Sequence, residues 1–271
     1  MNKTLGLITG NGALPELLLT EAKRRGCRVV VCAVQGETNP RINSIADAAV
    51  WIRLGQLSPL IQFFKAEGVR EAIMAGKITK TNLFRGDIRP DLEMIKVIAR
   101  TKNHSDDSLL GSIADHLNTK GIRLLDSTAF LSEDALPKKG ILTNRKLSKN
   151  ELADVEFGWE LAKEMGRLDI GQTVVVKNRA VLAVEAVEGT DEAILRGGIL
   201  GASGVTVIKV AKPNQDMRFD VPTIGLGTIE AMIKAKARVL VFEGGKTILL
   251  EREQFIERAN KHKITVMAKE S

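Results

Sequence analysis

The sequence is poor in cysteine, histidine and aromatic residues, and each scarcity excludes a class of protein. Its two cysteines, Cys27 and Cys32, do not form a C-x-x-C pair and no second pair follows, so we expect neither a cysteine zinc site nor a redox motif. Tyrosine is absent and aromatic residues make up 4% of the chain, too few for the stacking surfaces that bind single-stranded nucleic acid. The three histidines are not spaced as H-x-x-H or H-E-x-x-H, which argues against a histidine metal centre.

Long hydrophobic runs are also missing. The first apolar run, Leu5–Ile8, is followed at once by Gly10, Gly12 and Pro15, which does not fit a signal peptide. No stretch approaches the length of a transmembrane helix. We therefore expect a cytosolic protein, or at most one attached to a membrane surface.

The remaining composition is that of a globular protein with an excess of positive charge. The 271 residues are 44% hydrophobic and 27% charged, with a net charge of +7. This length favours one large domain or two medium ones. The charge favours anionic partners, which include nucleic acid, anionic lipid and phosphorylated substrates.

Strands and helices alternate along the N-terminal half, which predicts a Rossmann-like parallel sheet with helices on both faces. The second half contains a predicted hairpin around Asn178-Arg179 among further strands and helices, which predicts a mixed α/β domain. The predicted boundaries are residues 1–136 for the N-terminal domain, 137–150 for a basic linker and 151–271 for a C-terminal α/β catalytic domain. The linker is either a solvated loop or a contact for an anionic membrane or a phosphate.

The first strand-to-helix turn contains Gly10-Asn11-Gly12. Glycines in such a turn let backbone N–H groups approach a phosphate, and the helix that follows adds its positive end. The fingerprint of dinucleotide-binding turns requires a glycine or alanine at the position of Pro15 and an acidic residue near Gln35, so this sequence does not match it. The turn is therefore either a tight connection or a general phosphate contact. Lys77 follows another strand end and is a candidate for substrate binding on charge and placement.

Carboxylates concentrate near residue 185. Glu185 lies in an apolar strand pattern and should be buried. Because an unpaired buried carboxylate is costly, we expect Glu185 either to have a cation partner or to lie at the edge of a site. Thr190 either caps the next helix or contributes to a metal or phosphate site. One turn after Glu192, Arg196 is placed either to reach a phosphate or to pair with that carboxylate. Two further carboxylates, Glu188 and Asp191, stand beside them.

A second acidic segment precedes Pro222. If it is extended, Asp216, Arg218 and Asp220 project on one side. Such a strand would be either a surface ion-pair ladder or part of a site. Oxygen ligands without histidine suit Mg²⁺, and Mg²⁺ together with lysine or arginine suits phosphoryl chemistry.

Several of these segments resemble one known family. The resemblance is carried by the opening Leu5–Pro15, by Arg167–Gln172, by Ala183–Asp191 and above all by Gln215–Gly225. These motifs are similar to those of the LpxI family, the bacterial UDP-2,3-diacylglucosamine pyrophosphatases of lipid A biosynthesis. The resemblance spans nearly the whole chain.

The resemblance implies Mg²⁺-dependent hydrolysis of UDP-2,3-diacylglucosamine to 2,3-diacylglucosamine 1-phosphate (lipid X) and UMP. It implies that Asp220, in the pattern Asp-x-Pro-Thr-Ile-Gly, is the catalytic aspartate. The predicted metal ligands are Asp220, Glu185, Glu188 and Asp191. The predicted substrate-binding residues are Gly10, Asn11, Gly12, Lys77, Thr190, Arg196 and Arg218.

The expected partners are the lipid-linked sugar nucleotide and, weakly, an anionic inner-membrane surface. Nucleic acid is not expected, and the oligomeric state is open, with a homodimer plausible. Two other hypotheses stand beside this one. The first is an NAD(P)-binding Rossmann-type oxidoreductase, which rests on the first turn alone. The second is a nucleic-acid binder, which rests on the calculated pI of about 9.4.

Overall fold

The computed structural model describes residues 3–78, 90–101, 106–213 and 215–270. The chain forms two compact units. Unit 1 consists of Met1–Leu131 together with Asp216–Asp220, and unit 2 consists of Ser132–Gln215 together with Val221–Ser271. A short piece from the C-terminal half therefore belongs to the N-terminal unit.

Unit 1 contains a five-stranded sheet in the order β3-β2-β1-β4-β5, and all of its strand pairs are parallel. The strands are β1 (Thr4–Thr9), β2 (Arg28–Val34), β3 (Ala48–Ile52), β4 (Glu71–Ala75) and β5 (Arg123–Leu124). The helices are α1 (Leu14–Arg24), α2 (Ser58–Ala66), α3 (Leu92–Arg100) and α4 (Asp106–Thr119), and a 3₁₀ turn spans Pro40–Ser44. The predicted parallel sheet is confirmed.

The composition of β2 explains why it lies inside this sheet. Every residue from Val29 to Val34 is buried, as expected of a strand covered by helices on both faces. Between α3 and α4, Glu93 accepts hydrogen bonds from Lys96, Lys120 and His116, which lower the pKa of its carboxyl to about 2. This partly buried network ties the two helices together.

Unit 2 contains a six-stranded mixed sheet in the order β6-β13-β11-β9-β7-β8. β9, β11 and β13 are parallel, whereas β6, β7 and β8 pair antiparallel with their neighbours. Its strands are β6 (Gly140–Ile141), β7 (Thr173–Lys177), β8 (Ala180–Val184), β9 (Thr206–Lys209), β11 (Val239–Glu243) and β13 (Thr265–Lys269). A separate parallel pair joins β10 (Thr223–Ile224) to β12 (Ile248–Leu249). The predicted mixed α/β architecture is confirmed.

The helices of unit 2 are α5 (Lys149–Arg167), α6 (Thr190–Gly201), α7 (Leu226–Lys234) and α8 (Arg252–Lys261). A capping box between Ser148 and Glu151 fixes the start of α5. Residues 137–150, where the sequence predicts a basic linker, contain β6 and end within α5. None of the helices in the described ranges is long and apolar enough to cross a membrane.

Helix α6 contains two consecutive glycines in its interior, Gly197 and Gly198. Both are packing sites. A Cβ on Gly197 would lie 2.5 Å from Val175 Cγ1, and a Cβ on Gly198 would lie 2.5 Å from Ala235 Cβ. The helix needs glycine at these positions in order to approach β7 and the end of α7 closely.

Candidate functional site

In unit 1, the loops after β1 and β4 cross at the carboxyl ends of these strands. Asn11 N donates to Lys77 O at 2.8 Å, and Lys77 N donates to Asn11 O at 3.0 Å. A Cβ on Gly10 would lie 2.6 Å from Lys77 O, and a Cβ on Gly76 would lie 2.6 Å from Asn11 O. The structure therefore brings together the predicted residues Gly10, Asn11 and Lys77, and the close crossing explains why Gly10 and Gly76 are glycines.

Backbone N–H groups that would have to bind a phosphate in this turn already donate to carbonyl oxygens of the crossing loop. Gly10 N donates to Ala75 O at 2.9 Å, and Asn11 N is occupied by Lys77 O. Gly12 has a φ of +106° and open space around its Cβ position. Of the three predicted loop residues, Gly12 is thus the one placed to let a ligand approach the backbone.

Residues 216–220 do not have the extended conformation that the sequence analysis considered. They form a turn in which Asp216 O accepts from Phe219 N at 3.2 Å and from Asp220 N at 3.0 Å. The predicted one-sided row of side chains therefore does not exist. Short polar side chains favour turns because they bond to nearby backbone. Here the Asp216 carboxylate accepts from Arg218 N at 3.0 Å.

Ser127 and Phe219 hold this turn within unit 1. Ser127, after β5, donates its N–H to Met217 O at 2.8 Å, and its Oγ lies 2.9 Å from Arg218 O and 2.7 Å from Met74 O. Phe219 packs against the hydrophobic cluster that the strands and helices of unit 1 form. The partly buried Asp220 therefore lies on the unit that also contains the Gly10–Lys77 crossing. Its neighbour Arg218 is linked through Ser127, which follows β5, to Met74 in β4.

The side chains of Asp216 and Arg218 form a two-point ion pair. Arg218 Nη2 lies 2.6 Å from Asp216 Oδ2, and Arg218 Nε lies 2.9 Å from Asp216 Oδ1. The hydrogen bonds from Arg218 lower the pKa of the Asp216 carboxyl, and the same bonds raise the pKa of the guanidinium. Arg218 is thus oriented by its neighbour and also stacks on Phe219, with 5.6 Å from Cζ to the ring centroid.

In unit 2, the buried carboxylate that the sequence predicts lies directly after β8. Glu185 is 8% exposed, and its N–H donates to Thr173 O at 2.8 Å. Thr190, the first residue of α6, donates to Glu185 Oε1 at 3.0 Å. Lys209, the last residue of β9, donates to Thr190 Oγ1 at 2.7 Å. The expected side-chain cap by Thr190 is not made, because Gly189 holds the N-cap position and α6 has no side-chain cap.

The other predicted residues of this region have different partners. Arg196 pairs with Glu188, at 2.5 Å between Nη2 and Oε1, and also donates to Val184 O at 2.7 Å. Glu188 Oε2 accepts from Ala186 N, and its own backbone N–H and Arg196 lower the pKa of its carboxyl. Asp191 lies in the first turn of α6, with Oδ2 3.2 Å from the Cβ position of Gly227.

The predicted metal ligands differ in what their oxygens contact. Glu185 Oε2 is buried and has no hydrogen-bond partner in the described structure, so it fits a hard cation. Both oxygens of Glu188 are engaged. Asp220 belongs to unit 1, whereas the other three belong to unit 2. No group of three or more His, Cys, Asp or Glu that could hold a metal occurs within residues 3–78, 90–101, 106–213 and 215–270.

Sequence reasoning missed two buried charges at the carboxyl ends of the parallel strands of unit 2. Lys209 is 5% exposed, and Glu243 is 0% exposed at the end of β11. Glu243 binds Lys163 at 2.6 Å and Lys246 at 2.8 Å and accepts from Ala211 N. A signal for Lys209 was present in the sequence, because a single lysine interrupts the apolar run Val205–Val210.

Comparisons with known proteins agree with the two-unit organisation. The family model of the LpxI N-terminal domain matches residues 4–133, and that of the LpxI C-terminal domain matches residues 138–267. The UDP-2,3-diacylglucosamine pyrophosphatase LpxI of Caulobacter vibrioides is 31% identical over 270 residues, which cover 95% of this chain and 94% of that protein.

Solved structures resemble the chain only distantly. Glycinamide-RNase-transformylase T from Mycobacterium tuberculosis is 13% identical with a TM-score of 0.26, covering 68% of this chain and 44% of that one. N5-carboxyaminoimidazole ribonucleotide synthetase from Thermotoga maritima is 18% identical with a TM-score of 0.23, covering 69% of this chain and 43% of that one. The chain thus spans less than half the length of either protein, and similarity at this level indicates neither a shared site nor a shared activity. The two family domains and the Caulobacter relative cover nearly all of the sequence, and the chain therefore belongs to the LpxI family.

Proposed function

We propose that this protein hydrolyses the pyrophosphate bond of UDP-2,3-diacylglucosamine to 2,3-diacylglucosamine 1-phosphate and UMP, as a step of lipid A biosynthesis. The observation that carries the proposal is the similarity over 95% of the chain to a relative named for this activity. Nothing in the described structure favours the oxidoreductase alternative, since two N–H groups of the first turn are occupied by backbone carbonyls.

The proposed reaction is the attack of water on a diphosphate, during which negative charge builds up around phosphorus. A carboxylate is needed to position or deprotonate the water, and fixed positive groups are needed to stabilise the charge. We assign the first role to Asp220. Its turn is held by Ser127 and Phe219, which restricts the carboxylate to one neighbourhood of unit 1. Arg218, oriented by Asp216, is a positive group in the same turn.

We propose that the enzyme uses Mg²⁺. Mg²⁺ sites often consist of one or two carboxylates completed by substrate phosphates, so a cluster of three acids is not required. Among the predicted ligands of unit 2, Glu185 would hold the ion through Oε2, which is buried and without a hydrogen-bond partner in the described structure. When bound, Mg²⁺ would offset the charge of the diphosphate. Chelation with EDTA should stop UMP release, and added Mg²⁺ should restore it.

A lipid substrate also calls for access to a membrane surface. We propose a weak peripheral contact with anionic lipid through residues 137–150, in the cytoplasm. Support comes from the exposed basic side chains of this segment, which are Lys138, Lys139, Lys146 and Lys149. Each basic residue near an anionic leaflet contributes about 1 kcal/mol. Co-sedimentation with anionic but not with neutral vesicles would test the contact.

The activity is tested by Asp220→Asn, which keeps the shape of the side chain and removes its charge. We expect UMP release from UDP-2,3-diacylglucosamine to fall to background while the circular dichroism spectrum is unchanged. Asp134→Asn is the matched control, because Asp134 is an exposed acid that pairs with Arg252. Wild-type protein that releases no UMP would reject the proposed function, and an active Asp220→Asn variant would reject the role of Asp220.

A further inference from the structure

We propose that one edge of the unit 2 sheet docks on an anionic lipid surface. Apolar side chains at the end of α6 enter the lipid, and lysines and arginines of the neighbouring loops contact its head groups. The inference rests on the proposed function for its partner, because an enzyme with a diacylated substrate has to collect that substrate from a membrane. It adds a second surface to the contact proposed for residues 137–150.

Four loops meet at this edge, which is where β9, β11 and β13 begin and where β7 ends. Gly204 N, in the loop before β9, donates to Lys236 O at 2.8 Å. Thr265 N, at the start of β13, donates to Arg238 O at 2.8 Å. Hydrogen bonds thus join the loops before the three parallel strands. We call the four loops the basic edge; they are residues 177–181, 199–204, 234–238 and 261–263.

The hairpin loop and the segment 137–150 adjoin the same edge. Lys177 Nζ, at the end of β7, donates to Ser203 O at 2.8 Å, which joins the hairpin to the end of α6. Arg145 Nη1 donates to Thr265 Oγ1 at 2.7 Å, which places this part of the segment beside the start of β13. The surface proposed for residues 137–150 and the basic edge are therefore continuous.

The basic edge is strongly positive. Its four loops contain no aspartate or glutamate, and all of their lysines and arginines except Lys177 are exposed. None of these exposed side chains makes an ion pair with another residue in the described ranges. Of the nearby acids in α5, Glu151 binds Arg145 and Asp154 is buried. Helix dipoles favour bases in the last turns of α7 and α8, but only two of the side chains lie there. The exposed bases are Arg179, Lys234, Lys236, Arg238, Lys261 and Lys263.

Exposed apolar side chains lie within this positive surface. Ile199 and Leu200, in the last turn of α6, are 81% and 63% exposed, and Val181 in β8 is 43% exposed. Aliphatic side chains surrounded by lysine and arginine suit the interface of an anionic bilayer, where the former gain from burial and the latter from the surface charge. Nucleic acid would leave the aliphatic side chains unused, and the four loops contain no aromatic residue on which a base could stack. The combination therefore favours lipid.

A groove between α6 and the end of α7 opens at the same place. Its volume is about 460 Å³, and its lining includes Leu195 and Ile199 together with Lys234 and Lys236. Glu192 also lines it, but lies two turns before Ile199, about 10 Å along the helix. The end of the groove at the basic edge thus has apolar side chains beside two lysines, which suits a lipid chain below an anionic head group.

The first experiment removes charge from the basic edge. Lys236→Gln, Arg238→Gln and Lys263→Gln are combined, and co-sedimentation is measured with vesicles of phosphatidylglycerol and phosphatidylcholine in equal parts. Each basic residue near such a surface contributes about fivefold to binding, so we expect the triple variant to bind about a hundredfold more weakly. A control with the same loss of charge at exposed positions of unit 1 should bind like the wild type. The control substitutions are Arg41→Gln, Lys65→Gln and Arg70→Gln.

The second experiment removes the apolar contact and keeps the charge. Ile199→Ser combined with Leu200→Ser should weaken vesicle binding about tenfold, because these side chains no longer gain from burial in lipid. Leu168→Ser is the matched control, since Leu168 is 58% exposed after the end of α5, whereas the first turns of α5 bind the hairpin through Asp154. All variants should keep the circular dichroism spectrum and the UMP release of the wild type in detergent micelles, where the substrate is supplied without a bilayer.

The outcomes separate this inference from the proposed function. Wild-type protein that binds anionic vesicles through the basic edge but releases no UMP would reject the proposed function alone. Wild-type protein that releases UMP but does not bind the vesicles, or a triple variant that binds them like its control, would reject the basic edge as the docking surface. If the serine variant does not fold, the two triple variants decide the matter, because they replace only exposed side chains.

Two other partners are tested with the same proteins. Loss of a dimer in the serine variant by light scattering, with vesicle binding unchanged, would overturn the inference in favour of a contact between two copies of this chain. Loss of binding to random duplex DNA in the triple variant, again with vesicle binding unchanged, would overturn it in favour of nucleic acid. Loss of vesicle binding in both variants but in neither control is the result that we expect.

Discussion

Gly76 lies where the loop after β4 crosses the loop after β1, and replacing it by alanine tests whether this crossing stabilises unit 1. The residue has a φ of +85°, and its added Cβ would lie 2.6 Å from Asn11 O and 2.8 Å from Gly10 C. Both obstacles are backbone atoms, which a rotamer change cannot move. Gly36 has nearly the same φ, +78°, and nothing within 4 Å of its Cβ position, so Gly36→Ala is the matched control.

The expected magnitudes follow from these two environments. Both variants force alanine into the left-handed region, at a cost of about 1–2 kcal/mol. Gly76→Ala adds overpacking against backbone, which costs about 1–3 kcal/mol more. We therefore expect Gly76→Ala to be less stable than Gly36→Ala by about 1–3 kcal/mol. It should also lose UMP release, because the crossing places Lys77.

Native-state hydrogen exchange measures this difference in unit 1 separately from unit 2. Peptides that cover β1 and β4 should exchange through opening reactions whose free energy falls by the stated amount, while peptides that cover β11 should be unaffected. Equal exchange in the two alanine variants would refute the reasoning, because it would mean that the loops separate without cost. A uniform loss in both units would point to global misfolding instead.

Three further predictions concern stability and reactivity. Burial raises the pKa of the Cys32 thiol to about 12. A thiol reagent at neutral pH should therefore modify only the less buried Cys27 in the native protein, and both cysteines in denaturant. Two reactive thiols in the native protein would contradict this prediction. The pKa of Glu93 is lowered from 4.5 to about 2, so its stabilisation is present above pH 4.5 and is lost as the pH falls towards 2; Glu93→Gln should flatten that part of the pH dependence of the urea midpoint, and an unchanged curve would refute it. Ser148→Ala removes the capping box of α5 and should cost about 1 kcal/mol by urea denaturation, whereas Ser148→Asp should retain the wild-type midpoint.

Much of the architecture could be predicted because local pattern and final structure agree. Val29–Val34 form an uninterrupted apolar run and also a strand that is buried on both faces. The hairpin formed by β7 and β8 turns at Asn178 and Arg179, both of which have positive φ. The family resemblance likewise depends on short linear motifs that lie in both halves.

The candidate site was harder, because its residues depend on partners that are remote in sequence. Asp216 and Arg218 look like members of a strand, but Asp216 bonds to its own turn and Ser127 holds that turn on unit 1. Lys209 and Thr190 are 19 positions apart and meet only through the pairing of β9 with β7 and the start of α6. Composition and spacing contain no information about such contacts.

The sequence by itself determined the two α/β domains, the burial of Glu185 and the family to which the chain belongs, because each of these depends on patterns among residues that are contiguous in the sequence. Only the tertiary structure decided that Asp216–Asp220 belongs with the N-terminal unit, that Gly10 and Gly76 serve a backbone crossing, and that the hydrogen of Thr190 is directed to Glu185. The physical reason is that hydrogen-bond direction and steric contact depend on distances between atoms, which local sequence patterns do not fix.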